Sequence, residues 1–229
     1  MEKIVGQAVA RARQKPFFWL FVFIMAVLLF TPLMLGNRFM WLVLNVVYLR
    51  ALWVNLAEGG MRNETKFILW TFWAAAVGLK LAAPESIEGN LMYVASRLCT
   101  VVVLGACVVL TIRHVLRESE VTIDSIFAAI VAYVLAALAF AAAYSAVYVL
   151  APASFHFPEA VTTTENGAVE LQTVYFSFVT IATLGYGDIT PHLPFSQMLV
   201  VCEAMFGQFY VAVVLAWLVS MYAASRPRA

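Results

Sequence analysis

Six consecutive residues, Thr183, Leu184, Gly185, Tyr186, Gly187 and Asp188, could do a chemistry that the apolar chain around them could not. Glycines at 185 and 187 admit backbone dihedrals closed to other residues. Alternated with Leu184 and Tyr186, they can turn successive carbonyls to one side. A line of carbonyl dipoles substitutes for the hydration shell of a cation, and four copies around an axis would stack into rings of oxygens. The Thr183 hydroxyl would add the innermost ring. The implied chemistry is reversible coordination of a desolvated cation, with no bond made or broken.

Such a segment needs elements that hold it. The apolar stretch from Leu171 to Thr183 precedes it, about 13 residues and roughly 20 Å long as a helix, too short to cross a bilayer. A half-crossing helix followed by irregular backbone is a re-entrant loop. Bilayers tolerate such backbone only where protein buries it or it lines a water-filled path. The half-helix aims its C-terminus, the negative end of its dipole, at the same axis.

The whole chain fits that setting. Of its 229 residues 64% are apolar and 12% charged, against about 25% charged in soluble domains. Net charge is +1, which argues against nucleic acid as a partner. Cys99, Cys107 and Cys202 lie in apolar runs with no metal-ligand spacing, and read as buried small hydrophobes. His114, His156 and His192 are scattered over connections, and no catalytic constellation is visible, so an enzyme is not expected. Apolar runs at Phe17–Leu35, Phe39–Ala57, Phe67–Ala83, Leu91–Ile112, Ile123–Leu150 and Phe195–Ala223 predict six transmembrane helices. The first run is too long for a signal core, so it reads as a retained helix behind a basic leader. Lysine and arginine concentrate on one side of this topology, which puts both termini in the cytoplasm and the long fifth-to-sixth connection outside. The acids of that connection, Glu159, Glu165, Glu170 and Asp188, meet no lysine or arginine within it. The expected fold class is an all-α membrane protein: six transmembrane helices, a re-entrant pore helix and filter between helices five and six, and a tetrameric assembly.

The stretch "YFSFVTIATLGYGDITP" resembles the pore helix and filter of the potassium-channel family, whose signature usually has valine where this chain has Leu184. Gly207, nineteen residues after Asp188, stands where the family's inner helix commonly has its hinge glycine. The layout is similar to the six-helix, single-pore channels of the voltage-gated-like superfamily, most of all the short bacterial members without a cytoplasmic regulatory domain. The resemblance implies K+ held at Thr183, Leu184, Gly185 and Tyr186, with Gly187 completing the filter. It implies K+ as the permeant ligand with no cofactor, a homotetramer among membrane lipids, and a bacterial plasma (inner) membrane. The expected division is residues 1–16, a cytoplasmic leader; 17–119, a four-helix unit; and 120–229, the pore. Two other functions stay open: a weakly selective cation channel, if Leu184 loosens the filter, and a non-conducting accessory or scaffold subunit.

Several residues depart from the family pattern. The fourth helix has Arg97 near its outer end and no further basic residue until Arg113. A voltage sensor needs roughly 3–4 gating charges per subunit, so the four-helix unit reads as a packing or lipid-facing domain rather than a sensor. Arg50, the other intramembrane cation there, either snorkels to the inner interface or pairs. Val179 stands where some relatives have a glutamate holding the filter aspartate, which leaves Asp188 needing another partner. Tyr175 lies where such relatives often carry a tryptophan; it either bonds Asp188 or packs. Glu203, an acid at membrane depth, must be neutral, paired or near water. Thr180 and Ser177 are its candidate partners behind the filter, and lining the ion path is the alternative. The small residues Ala128, Ala132, Ala136, Ala139 and Ala143 form a packing stripe toward the sixth helix or a neighbouring subunit. Below Gly207, helical spacing from Gln208 gives Val211, Leu215, Val219 and Ala223 as a cavity-lining stripe, with a neighbouring stripe as the alternative.

Overall fold

The computed structural model describes residues 15–30, 38–58, 63–83, 90–117, 121–158 and 166–224. Residues 1–14 of the basic leader, and Glu159 and Glu165, lie outside the described residues.

Each apolar run carries a helix. These are α1 (Pro16–Phe30), α2 (Arg38–Glu58), α3 (Asn63–Ala82), α4 (Leu91–Arg117) and α5 (Ile123–Leu150). The re-entrant helix α6 (Asn166–Ile181) follows, and then α7 (Pro194–Phe209), a π-helical turn (Tyr210–Leu215) and α8 (Ala216–Ala224), which together form one inner helix. Three helices among the described residues are long and apolar enough to cross a membrane: α4, α5 and the inner helix over Pro194–Met221. The expected six crossings are therefore met by three on length and apolarity. Helix α1 spans 15 residues, and α3 carries Glu64, Lys66 and Lys80.

Local chemistry fixes the starts. Thr122 caps α5: its hydroxyl accepts from Ser125 N at 3.2 Å, and the Ser125 hydroxyl accepts from Thr122 N at 3.1 Å. This reciprocal pair satisfies two donors that the helix leaves orphaned. Asp124 Oδ1 accepts from Phe18 N at 3.0 Å, which ties the first turn of α1 to that of α5. Pro194 opens α7, where the missing N–H costs nothing.

One apolar core runs through the peripheral helices and the pore side together. It joins Phe17, Leu20 and Ile24 of α1, Leu104 and Cys107 of α4, and Leu135 and Leu138 of α5 to Ile181 and Leu218. Helix α5 packs chiefly on α4 and then on α6, and less on α7. Of the alanine stripe, Ala128, Ala132 and Ala136 are buried within the single chain. Hydrogen bonds between helices replace those that water would make: Ser96 Oγ to Ala76 O at 2.7 Å, and Thr111 Oγ1 to Asn55 Oδ1 at 2.6 Å.

Past Asp188 the chain returns through a two-residue strand pair. β1 (Phe155–His156) and β2 (Thr190–Pro191) run antiparallel, with Phe155 opposite Pro191 and His156 opposite Thr190. His192 N and Ser196 Oγ both donate to Ser154 O at 2.8 Å. The segment that follows Asp188 is thus pinned to the segment that leaves α5.

Candidate functional site

Helix α6 begins five residues earlier than the apolar stretch that announced it. Its first turns include Glu170, whose carboxylate is buried. Lys80 Nζ of α3 lies 2.6 Å from Glu170 Oε1, Arg97 Nη1 of α4 lies 3.4 Å from the same oxygen, and Tyr93 Oη donates to it at 3.3 Å. As expected, Glu170 finds no basic residue on its own connection; the C-terminal end of α3 and the first two turns of α4 deliver two.

One face of α6 is then fastened to α5. Thr173 Oγ1 lies 2.7 Å from Ser145 Oγ, and Ser177 Oγ lies 2.6 Å from Ala137 O. Ser177 and Tyr144 of α5 both bond Glu203 of α7, which is fully buried. Of the two partners expected from sequence, Ser177 is joined to Glu203; Thr180 instead accepts at its carbonyl from Thr183 N. Tyr144 was not foreseen. The Ser177 hydroxyl is shared between the Ala137 carbonyl and Glu203 Oε1, and Tyr144 Oη donates to Glu203 Oε2. With both oxygens bonded, an acid at membrane depth is not left without partners.

The end of α6 makes the turn into the glycine segment. Leu184 N donates to Val179 O and Thr183 N to Thr180 O, each at 2.9 Å. These two bonds form a Schellman cap, whose penultimate residue takes left-handed dihedrals. That residue is Thr183, with φ 58°, the one non-glycine at positive φ among the described residues. Glycine is the usual occupant. A β-branched residue there is an outlier that costs about 1–3 kcal/mol. Gly185 follows at φ 58° and Gly187 at φ 77°. Left-handed backbone therefore recurs at 183, 185 and 187, with Leu184 and Tyr186 between. Residues 182–188 are all exposed in a single chain.

The outer end of the segment is held by Asp188. Tyr175 Oη donates to Asp188 Oδ2 at 2.7 Å, and Asp188 Oδ1 accepts from Ile189 N at 3.1 Å. The inner end is held at Ile181. Tyr133 Oη donates to Ile181 O at 2.7 Å, and Gly207 presses on the same carbonyl from the other side. A Cβ at 207 would stand 2.3 Å from Ile181 O. Gly207 is thus a point of closest approach between the inner helix and α6, whatever bending it also allows. Sequence reasoning gave it only the hinge role.

The inner helix below Gly207 departs from a regular stripe. Tyr210 and Leu218 are both buried, and Tyr210 Oη donates to Ala129 O at 2.7 Å. Eight residues on a regular α-helix leave an offset of about 80°. The π turn from Tyr210 to Leu215 adds about one residue to its turn and brings the two into line. The same shift breaks the expected lining stripe. Gln208, Val211, Val219 and Ala223 are exposed, whereas Leu215 is half-buried and packs on the main core. Val213 and Trp217 are exposed too.

Residues 132–224, from the middle of α5 to the end of the inner helix, match a family described as ion channel. No curated protein matches the chain.

Proposed function

From an ion-channel domain as premise, we propose that the protein is a potassium-selective channel, with Thr183, Leu184, Gly185, Tyr186 and Gly187 of four identical chains forming one filter. The recurrence of left-handed backbone at 183, 185 and 187 carries this reading. Alternating hands turn successive carbonyls to the same side, so a dehydrated cation meets oxygen at each step. Such oxygens replace its hydration shell. The Thr183 hydroxyl extends the row inward, which accounts for a threonine tolerated where glycine would fold more easily.

The support around the row explains how it keeps its spacing. Tyr175 holds Asp188 at one end, and Tyr133 with Gly207 holds Ile181 at the other. Glu203 fastens the inner helix to the middle of α6 through Ser177. In this reading α6 points its C-terminal carbonyls at the cavity below the filter, where the dipole favours a cation.

Assembly follows from what one chain leaves uncovered. Backbone at membrane depth must be buried or line a water path, and residues 182–188 have no cover within a single chain. Neither has most of the inner helix below Phe209. A ring of four copies covers the inner helices against one another and sets the filters around one water-filled axis.

The test is the Gly185→Ala variant in liposomes. At φ 58° an alanine is strained and the carbonyl row is disturbed. Loss of potassium-driven flux, or of preference for potassium over sodium, is the expected result. A variant as potassium-selective as the parent overturns the assignment.

A further inference from the structure

The cluster at Glu170 lies apart from the segment 183–188 and gathers two cations and a phenol on one carboxylate. Its three donors come from two peripheral helices, Lys80 from α3 and Tyr93 and Arg97 from α4, and they converge on a single carboxylate oxygen. Tyr93 is fully buried beneath the cations: Lys80 Nζ lies 4.1 Å from the centre of its ring and the Arg97 guanidinium 5.2 Å. Arg97 and Glu170 are themselves almost entirely buried. Such a pair fixes geometry, because removing either partner strands the other charge away from water.

Its position in α6 gives that geometry a use. Glu170 is in the second turn of a 16-residue helix, and Thr183 follows its last residue by two. A helix is a stiff rod of about 1.5 Å per residue. The place where its far end delivers Thr183 depends on where its near end is held. Helices α5 and α7 grip α6 at Thr173, Ser177 and Ile181. Among the described residues, α3 and α4 reach α6 through the polar contacts at Glu170, and Val169 beside it packs with Tyr93 and Val94 of α4.

We propose that Lys80 and Arg97 are positioning residues for conduction: through Glu170 they brace α6 from the peripheral helices and set the filter's spacing. This rests on the potassium-channel reading. It also gives Arg97 a role other than voltage sensing, since a guanidinium engaged by the pore helix cannot move outward without giving up its contact with Glu170.

The test uses the full chain in liposomes, with potassium and sodium fluxes measured on the same preparation. Glu170→Gln keeps the shape and removes the anion. Its potassium-over-sodium ratio should fall by roughly 3- to 30-fold, the range typical of coupled networks. Glu170→Asp, which keeps the anion for Lys80 and Arg97, should hold the ratio to within about threefold of the parent, a separation of the two variants that loss of folding alone does not produce. A parent that passes no potassium selectively overturns the channel reading itself. A selective parent with an equally selective Glu170→Gln overturns the brace alone. If neither variant yields assembled protein, the brace is likewise overturned, because the cluster then serves folding and not filter position.

Discussion

Replacing Gly207 by alanine adds one methyl group at the tightest contact in the pore unit. The new Cβ would sit 2.3 Å from Ile181 O, 2.9 Å from Ile181 Cγ1 and 3.2 Å from the Ile181 carbonyl carbon. Ordinary contact begins at 3.4 Å, so the inner helix and the end of α6 must part by about 1 Å. The obstacle is backbone, which no rotamer change can clear. Overpacking of this kind costs about 1–3 kcal/mol. The displaced atom lies two residues before Thr183, and the Tyr133 hydroxyl bonds it. A functional constellation tolerates about 0.5 Å of misplacement, so the shift should reach the filter. Gly207→Ala is expected to lower the melting temperature and the potassium-over-sodium permeability ratio together, measured by thermal unfolding in detergent and by bi-ionic recordings. Gly105→Ala is the control, since a Cβ there meets nothing within 4 Å. A hinge acting alone predicts something else: altered open probability with selectivity intact. A Gly207→Ala channel with parental stability and parental permeability ratio refutes the close-approach reasoning.

Thr183→Gly should remove the cost of left-handed threonine and stabilise the protein by about 1 kcal/mol in thermal unfolding, while lowering potassium selectivity because the innermost hydroxyl is gone. Glu203→Gln should unfold at nearly the parental temperature, since an amide can donate to Ser177 and accept from Tyr144. Glu203→Ala strands the Tyr144 hydroxyl and leaves a cavity, and should lose about 2–4 kcal/mol. In a background free of the three native cysteines, Val211→Cys and Val219→Cys should react with a charged thiol reagent applied from the side of the membrane opposite Asp188. Leu215→Cys should be slow, as the π turn carries that position toward the core.

The helices were legible because membrane helices announce themselves: apolar runs such as Leu91–Ile112 and Ile123–Leu150 end at charge or turn chemistry, and α4 and α5 follow them closely. The departure from helix at Gly185 and Gly187 was legible from glycine spacing, and left-handed dihedrals do fall at 185 and 187. That Thr183 shares them was not, because the Schellman cap that requires it depends on where α6 ends. The start of α6 was misplaced for a related reason. A carboxylate at 170 reads as loop until Lys80 and Arg97, 90 and 73 residues away, are known to surround it. Tyr144 as a partner of Glu203 was hidden in the same way, since α5 had been read for its small residues. The π turn has no glycine or proline to mark it; it follows from Tyr210 and Leu218 both being drawn to the core.

The central claim is that the row from Thr183 to Gly187 selects potassium. A bi-ionic reversal potential of the purified chain in a planar bilayer, potassium on one side and sodium on the other, tests it directly. The account predicts a potential far toward the potassium equilibrium value, about 59 mV for each tenfold of selectivity, and its collapse toward zero in Gly185→Ala. A parental potential near zero, or one that Gly185→Ala leaves unchanged, contradicts it.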